Sequence, residues 1–131
     1  MCEYLDWFCA AIGACVGYLF GGVDGLIHAL LTLTILDYIT GIAAAWVKKE
    51  LSSNTGFTGI ARKIGIFALV GVAHIVDKEL LGDTRALRDA VLFFYLANEA
   101  LSILENAHKL KIPLPDVLVK HLLQIRGEKG S

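Results

Sequence analysis

Between residues 7 and 47 the chain carries only two ionised side chains, Asp24 and Asp37. Soluble domains place a charge at about every fourth residue, so this segment constrains the fold more than any other feature. Residues 7–23 are 17 in succession without a charge. As a helix rising ~1.5 Å per residue they reach ~26 Å, just short of a ~30 Å hydrocarbon core. Gly22-Val23-Asp24-Gly25 reads as a tight turn. Residues 25–47 then form a stretch of 23 broken by Asp37 alone, long enough to span. Both must be helices, because lipid offers no partner to the N–H and C=O groups of an open strand edge.

Two weaker stretches follow. Residues 64–76 are 13 without a charge, extended through Asp77, Lys78 and Glu79 to Leu81, and residues 90–104 are 15 with Glu99 inside. Spans of about 10 to 14 apolar residues also occur as interfacial or re-entrant segments. The expected fold is an all-α integral membrane bundle of three to four transmembrane helices, four favoured. The spans lie near 7–23, 25–47, 63–81 and 90–107, within a domain covering 1–107. A basic tail, 108–131, follows. Pro113 and Pro115 end the last long helix. Val117, Leu118, Leu122 and Ile125 then recur at helical spacing among Lys120, His121 and Arg126, a short amphipathic helix suited to a membrane face. Residues 127–131 read as a frayed tail.

Composition agrees: 56% of the 131 residues are hydrophobic and 19% charged, against ~45–50% and ~25% in soluble domains. A soluble core this apolar in so short a chain would leave large apolar patches outside. The net charge of −1 provides no basic field for nucleic acid. Cys2, Cys9 and Cys15 cluster at the first apolar segment, odd in number and without partners at metal-ligand spacing, and read as packing residues. Glu3 and Asp6 stand where a signal peptide carries Lys or Arg, so the first apolar stretch is expected to be retained as a span.

Orientation follows from the basic residues. Lys48, Lys49, Arg62 and Lys63 lie between the second and third stretches, and Lys109, Lys111, Lys120, Arg126 and Lys129 lie in the tail. The bases of the 77–89 connection are offset by Asp77, Glu79, Asp83 and Asp89. The 48–63 loop and the C-terminus are therefore expected on the cytoplasmic side, which requires an even number of crossings after that loop.

Gly13, Gly17 and Gly21 recur every four residues on one helical face, where small residues permit close backbone approach. The face serves either association between chains or a packing groove within one bundle. Asp37 falls near mid-bilayer, with Thr34, Gly41 and Ala45 on its face, and a charge there costs ~2.5–3.5 kcal/mol. It must be protonated, paired or turned to water. Lys63, His74 and Asp77 share a face of the third stretch. Tyr95, Asn98, Ser102 and Glu105 share one on the fourth, with Glu99 beside it. In a monomer these stripes can satisfy one another; in an oligomer they can line a water-filled lesion. Nucleophile elbow, phosphate loop and HExxH are all missing from the sequence, and residues 52–56 read as a turn-rich cytoplasmic loop. Catalytic, metal and cofactor sites are not expected.

The stretch Leu36-Asp37-Tyr38-Ile39-Thr40-Gly41-Ile42-Ala43-Ala44-Ala45, with Leu51-Ser52-Ser53 and Gly59-Ile60-Ala61-Arg62-Lys63, resembles the toxin-secretion/phage-lysis holin family. So do Asp77, Asn98-Glu99-Ala100-Leu101-Ser102-Ile103-Leu104-Glu105-Asn106 and Ile112-Pro113-Leu114-Pro115, a likeness covering roughly residues 30–125. The resemblance implies small proteins of the bacterial cytoplasmic membrane that accumulate, form homo-oligomers and open lesions. These admit an endolysin to the cell wall or pass large toxins outward, with no direct contact to either required. The alternative from another class is a small non-lytic ion channel or accessory membrane subunit using the same acids as an ion path.

Overall fold

The computed structural model describes residues 1–126, so residues 127–131, with Lys129 and the expected frayed tail, lie outside the described residues, as do the side chains of Leu122, Ile125 and Arg126. The described residues form five helices: α1 (Cys2–Phe20), α2 (Gly25–Val47), α3 (Ser53–Glu79), α4 (Ala86–Lys109) and α5 (Asp116–Arg126).

Local chemistry sets their ends. Helix α1 stops three residues before the sequence suggests because Gly21 turns left-handed (φ 74°) and its N–H bonds Gly17 O at 2.9 Å. Asp24 caps α2, its carboxylate accepting the Ile27 N–H at 3.2 Å. The segment 52–56, expected as a turn-rich loop, is instead the N-cap and first turn of α3. Ser52 Oγ accepts the Thr55 N–H at 3.1 Å, and the helix runs 27 residues from there. That cap satisfies an otherwise orphaned donor. It lets helix start well before the apolar stretch does, which placed the beginning of this element ten residues late at 63. The expected amphipathic helix after the prolines is α5.

Helices α2 and α4 run side by side in the same direction: Asp24 of the α2 cap meets Arg88 near the start of α4, and Asp37 meets Asn106 near its end. Helix α3 runs the opposite way against both, with Lys63 near Asp37 and Asp77 at the start of α4. Ile27, Leu30, Val70 and Leu92 make a small apolar core, flanked by Phe20, Phe67 and Leu96. Helix α1 packs mainly on α3, with Phe20 also reaching the shared core and Arg88 of α4, and α5 packs on α4. No residue of α1 is buried, and its close packing lies in the last turn, where Leu19 meets Gly71 and the Phe20 ring meets Phe67 edge-on at 6.0 Å.

The distribution of side chains is inverted relative to a soluble bundle. Thr34, Asp37, His74, Asp77, Arg88, Glu99 and Asn106 are buried, while Leu31, Ile35, Ile39, Leu69, Val72, Phe93 and Phe94 face outward. In water that arrangement would forfeit the hydrophobic effect; in hydrocarbon it is the favourable one. Among the described residues two helices, Gly25–Val47 and Ser53–Glu79, are long and apolar enough to cross a membrane.

Candidate functional site

Two polar clusters lie inside the bundle, one near its middle and one at the end where α1 turns into α2. In the first, Lys63 projects from α3 between α2 and α4. Its Nζ donates to Asp37 Oδ2 at 2.6 Å and to Glu99 Oε2 at 2.8 Å. Asn106, two helical turns beyond Glu99 on the same face, donates from Nδ2 to Asp37 Oδ1 (3.0 Å), to Asp37 O (3.2 Å) and to Thr40 Oγ1 (2.9 Å). Gly41 stands beside that amide, which lies 3.6 Å from where a Cβ would sit. Asp37 is 8% and Glu99 4% exposed. Charges this deep are stable only when paired and hydrogen-bonded, and the cluster meets that requirement across three helices. Two carboxylates against one ammonium leave a charge of −1 when both are ionised, so Lys63 is the member whose loss the group tolerates least.

Clefts open on both sides of Lys63. One, of about 420 Å³, is lined by Asp37, Gly41, Gly59, Lys63, Ser102 and Asn106. The other is lined by Asp37, Lys63, Tyr95, Asn98, Glu99, Ser102 and Glu105. The polar stripe read on the fourth stretch thus faces a cleft shared with the Asp37–Lys63 pair. Glu105 is exposed at its rim.

The second cluster was not singled out from sequence. Arg88 is fully buried, and its guanidinium bonds the α1–α2 turn and the adjacent Asp89. Its Nε donates to Phe20 O, Nη1 to Asp24 Oδ2 (3.1 Å) and Asp89 Oδ1 (2.9 Å), and Nη2 to Gly22 O (3.3 Å) and Asp24 Oδ1 (3.2 Å). Arg85 adds bonds to Gly21 O (3.2 Å) and Asp24 Oδ2 (2.9 Å). A planar fork of five donors suits this mixture of carbonyls and carboxylates, which an ammonium would not. Burial pushes the Asp24 carboxyl up, but the hydrogen bonds from Arg88 and Ile27 and the charges of Arg88 and Arg85 outweigh it and bring the pKa down to about 2.

Asp77 is the neighbouring fixture. Fully buried at the end of α3, it caps α4 from another helix: Oδ2 accepts the Arg88 N–H at 2.7 Å, and Oδ1 accepts the Leu87 N–H at 3.1 Å and the Thr84 hydroxyl at 3.2 Å. His74 lies one turn earlier, buried under Gly21, and its Nδ1 has no hydrogen-bond partner among the described residues. The face shared by Lys63, His74 and Asp77 therefore points inward but serves three separate contacts. The glycine repeat divides similarly. A Cβ at Gly21 would stand 2.6 Å from the His74 ring, whereas one at Gly13 or Gly17 would meet nothing within 4 Å. The tight glycine contact between α1 and α3 is at Gly71, against Leu19.

Of the basic residues expected to set topology, Lys48, Lys49 and Arg62 are exposed. Lys63 is engaged inside the bundle. Asn106 and Arg88 are the members that sequence reasoning missed. The seven-residue spacing from Glu99 to Asn106 places both on one face and marks Asn106; an arginine beside an apolar stretch gives a weaker sign.

A sequence model described as the bacteriophage holin family matches residues 14–127, reaching further toward the N-terminus than the motifs above. An uncharacterised protein of Listeria monocytogenes, Lmo0128, is 48% identical over 119 residues, 91% of this chain and 84% of its own. An uncharacterised 14.9 kDa protein of Clostridium perfringens, in the nagH 3′ region, is 36% identical over 127 residues, 97% of this chain and 96% of its own. A protein named "Probable holin" in Bacillus phage phi105 is 39% identical over 114 residues, 87% of this chain and 83% of its own. No solved structure matches.

Proposed function

The chain belongs to the bacteriophage holin family, and from that premise we propose that it self-assembles in the bacterial cytoplasmic membrane to open lesions for an endolysin or a large toxin. One observation carries the reading: the intramembrane charges Asp37, Lys63 and Glu99 are satisfied within one chain, while the apolar faces of the same helices point outward. Such a monomer sits stably and silently in lipid. Turning those stripes toward water requires new neighbours for the helices, which a second and further copies provide. The protein acts by assembly and not by catalysis.

The membrane arrangement follows the same logic. Helix α4 lies alongside α2 from the Arg88–Asp24 contact, past Asn106–Asp37, to the pocket that Lys48 and Lys109 share, so it traverses the depth that α2 traverses. With α3 returning between them and α1 adding 19 residues, the reading is four spans. The basic end, with Lys48, Lys49, Arg62, Lys109 and Lys111, is cytoplasmic by the positive-inside rule. At the other end Arg85 and Arg88 are held by Asp24 and Asp89 and compete little for that side.

Inducible expression in a bacterium, with and without a cytoplasmic endolysin, tests the proposal. Abrupt lysis is expected only when both proteins are present, preceded by loss of membrane potential. Ion leakage without endolysin release would assign the chain to small channels, a use the clefts beside Lys63 would fit. Intact membranes in both cultures would overturn both readings.

A further inference from the structure

Where α2 and α4 end, the fold gathers positive charge that no sequence run contains. Lys48, the C-cap of α2, lies around one pocket with His108, Lys109 and Lys111 from the end of α4 and the link to α5. Ile112 and Pro113 complete the lining, and no carboxylate contributes to it. Among the described residues none of these three lysines forms an ion pair. The C-terminal dipoles of α2 and α4 supply about half a negative charge each, and Glu50 and Asp116 stand in the adjoining clefts without pairing with these lysines, so the three ammonium groups have no direct anionic partner among the described residues. Bringing like charges together is unfavourable unless an anion joins them.

The surroundings say which anion. Trp46 and Val47, the residues just before Lys48, are 74% and 63% exposed, and Ile112 is 51% exposed. Tryptophan at the end of an apolar helix takes the headgroup level of a bilayer, which sets the lysines at the depth of lipid phosphates with apolar surface beneath them. A free phosphate would use the lysines and leave Trp46, Val47 and Ile112 without purpose. We propose that the pocket formed by Lys48, Lys109 and Lys111 binds the headgroup phosphate of an anionic phospholipid, of the phosphatidylglycerol or cardiolipin class. The lipid thereby ties the cytoplasmic ends of α2 and α4 together. This rests on the membrane reading above.

The test uses the full chain with Trp7→Phe, which leaves Trp46 as the sole tryptophan, reconstituted in neutral phosphatidylcholine vesicles. Brominated phosphatidylglycerol or brominated phosphatidylcholine is added at equal mole fraction and quenching of Trp46 is measured. Each lysine near an anionic headgroup contributes ~5-fold in affinity, so a preference of at least tenfold for the brominated anionic lipid is expected. Lys48→Gln/Lys109→Gln/Lys111→Gln should abolish the preference. Lys49→Gln/Arg62→Gln/Lys120→Gln, which removes as much charge from outside the pocket, should retain it. Equal quenching by both lipids, or equal loss in both triple variants, would overturn the site. Displacement by millimolar inorganic phosphate would overturn its assignment to lipid. Failure of the chain to float with neutral vesicles would overturn the membrane reading instead, and the proposal with it.

Discussion

Lys63 places its ammonium 2.6 Å from the Asp37 carboxylate, joining the middle of α2 to α3 between two clefts. The same ammonium reaches Glu99 at 2.8 Å, so one cation holds two acids on two helices.

The two partners are therefore unequal. Asp37→Leu leaves the Lys63–Glu99 pair intact and costs the Asn106 amide one acceptor, a loss of about 1–2 kcal/mol. Lys63→Met leaves two facing carboxyls without a cation, a loss of about 3 kcal/mol or more. Thermal unfolding in micelles should rank Lys63→Met well below Asp37→Leu. The reverse order would show that the cluster is solvated.

In cells, Asp37→Leu should insert at least as readily as the parent, because it removes an insertion cost of ~2.5–3.5 kcal/mol. It should nonetheless fail to permeabilise if assembly uses the polar contact. Asp37→Asn retains a hydrogen bond across helices, ~0.6–2 kcal/mol, and should lyse late. Lysis onset at matched membrane levels is the measurement. Full-speed lysis by the leucine variant would move the functional weight to Glu99 and its stripe.

The glycines of α1 should separate by role. Gly21→Ala meets the His74 ring and a left-handed backbone, so it should destabilise the fold by about 1–3 kcal/mol. A Cβ at Gly17 meets nothing within 4 Å among the described residues, and leucine favours helix over glycine by about 1 kcal/mol, so Gly17→Leu should not lower the unfolding temperature. Shortened crosslinked ladders from Gly17→Leu would mark the α1 face as an oligomer contact. Wild-type ladders and lysis timing would mark it as lipid-facing.

Asp24 supplies an acid limit. Its folded pKa, about 2, lies below the usual 3.8, so its stabilisation is complete above pH ~4 and is lost as pH falls through 2. Unfolding temperature in micelles should decline over that window. Asp24→Asn should flatten this part of the decline. Arg88→Lys should not rescue Arg88→Met, since an ammonium cannot meet the carbonyls and carboxylates the fork meets.

Topology can be read by cysteine labelling in a background lacking Cys2, Cys9 and Cys15. Position 54, at the basic end, should resist an impermeant external reagent in intact cells, and position 83, at the opposite end, should react. Labelling at 54 would invert the arrangement.

What the sequence determined by itself are properties that repeat along the chain. Apolar runs at 7–23 and 25–47 made α1 and α2 legible, the prolines at 113 and 115 marked off α5, and several short motifs in order pointed to the family. Boundaries set by single polar caps were less so: Ser52 starts α3 far ahead of its apolar stretch. The partners inside the bundle were decided by tertiary structure alone. Lys63 meets residues 26 and 36 positions away, Asn106 reaches one 69 away, and Arg88 closes a turn 64 to 68 away. Periodicity reports which side of a helix is polar, since successive residues turn by a fixed angle. It carries no information on how two helices register along their axes, and a shift of one turn, about 5.4 Å, would carry the Lys63 ammonium out of reach of both acids.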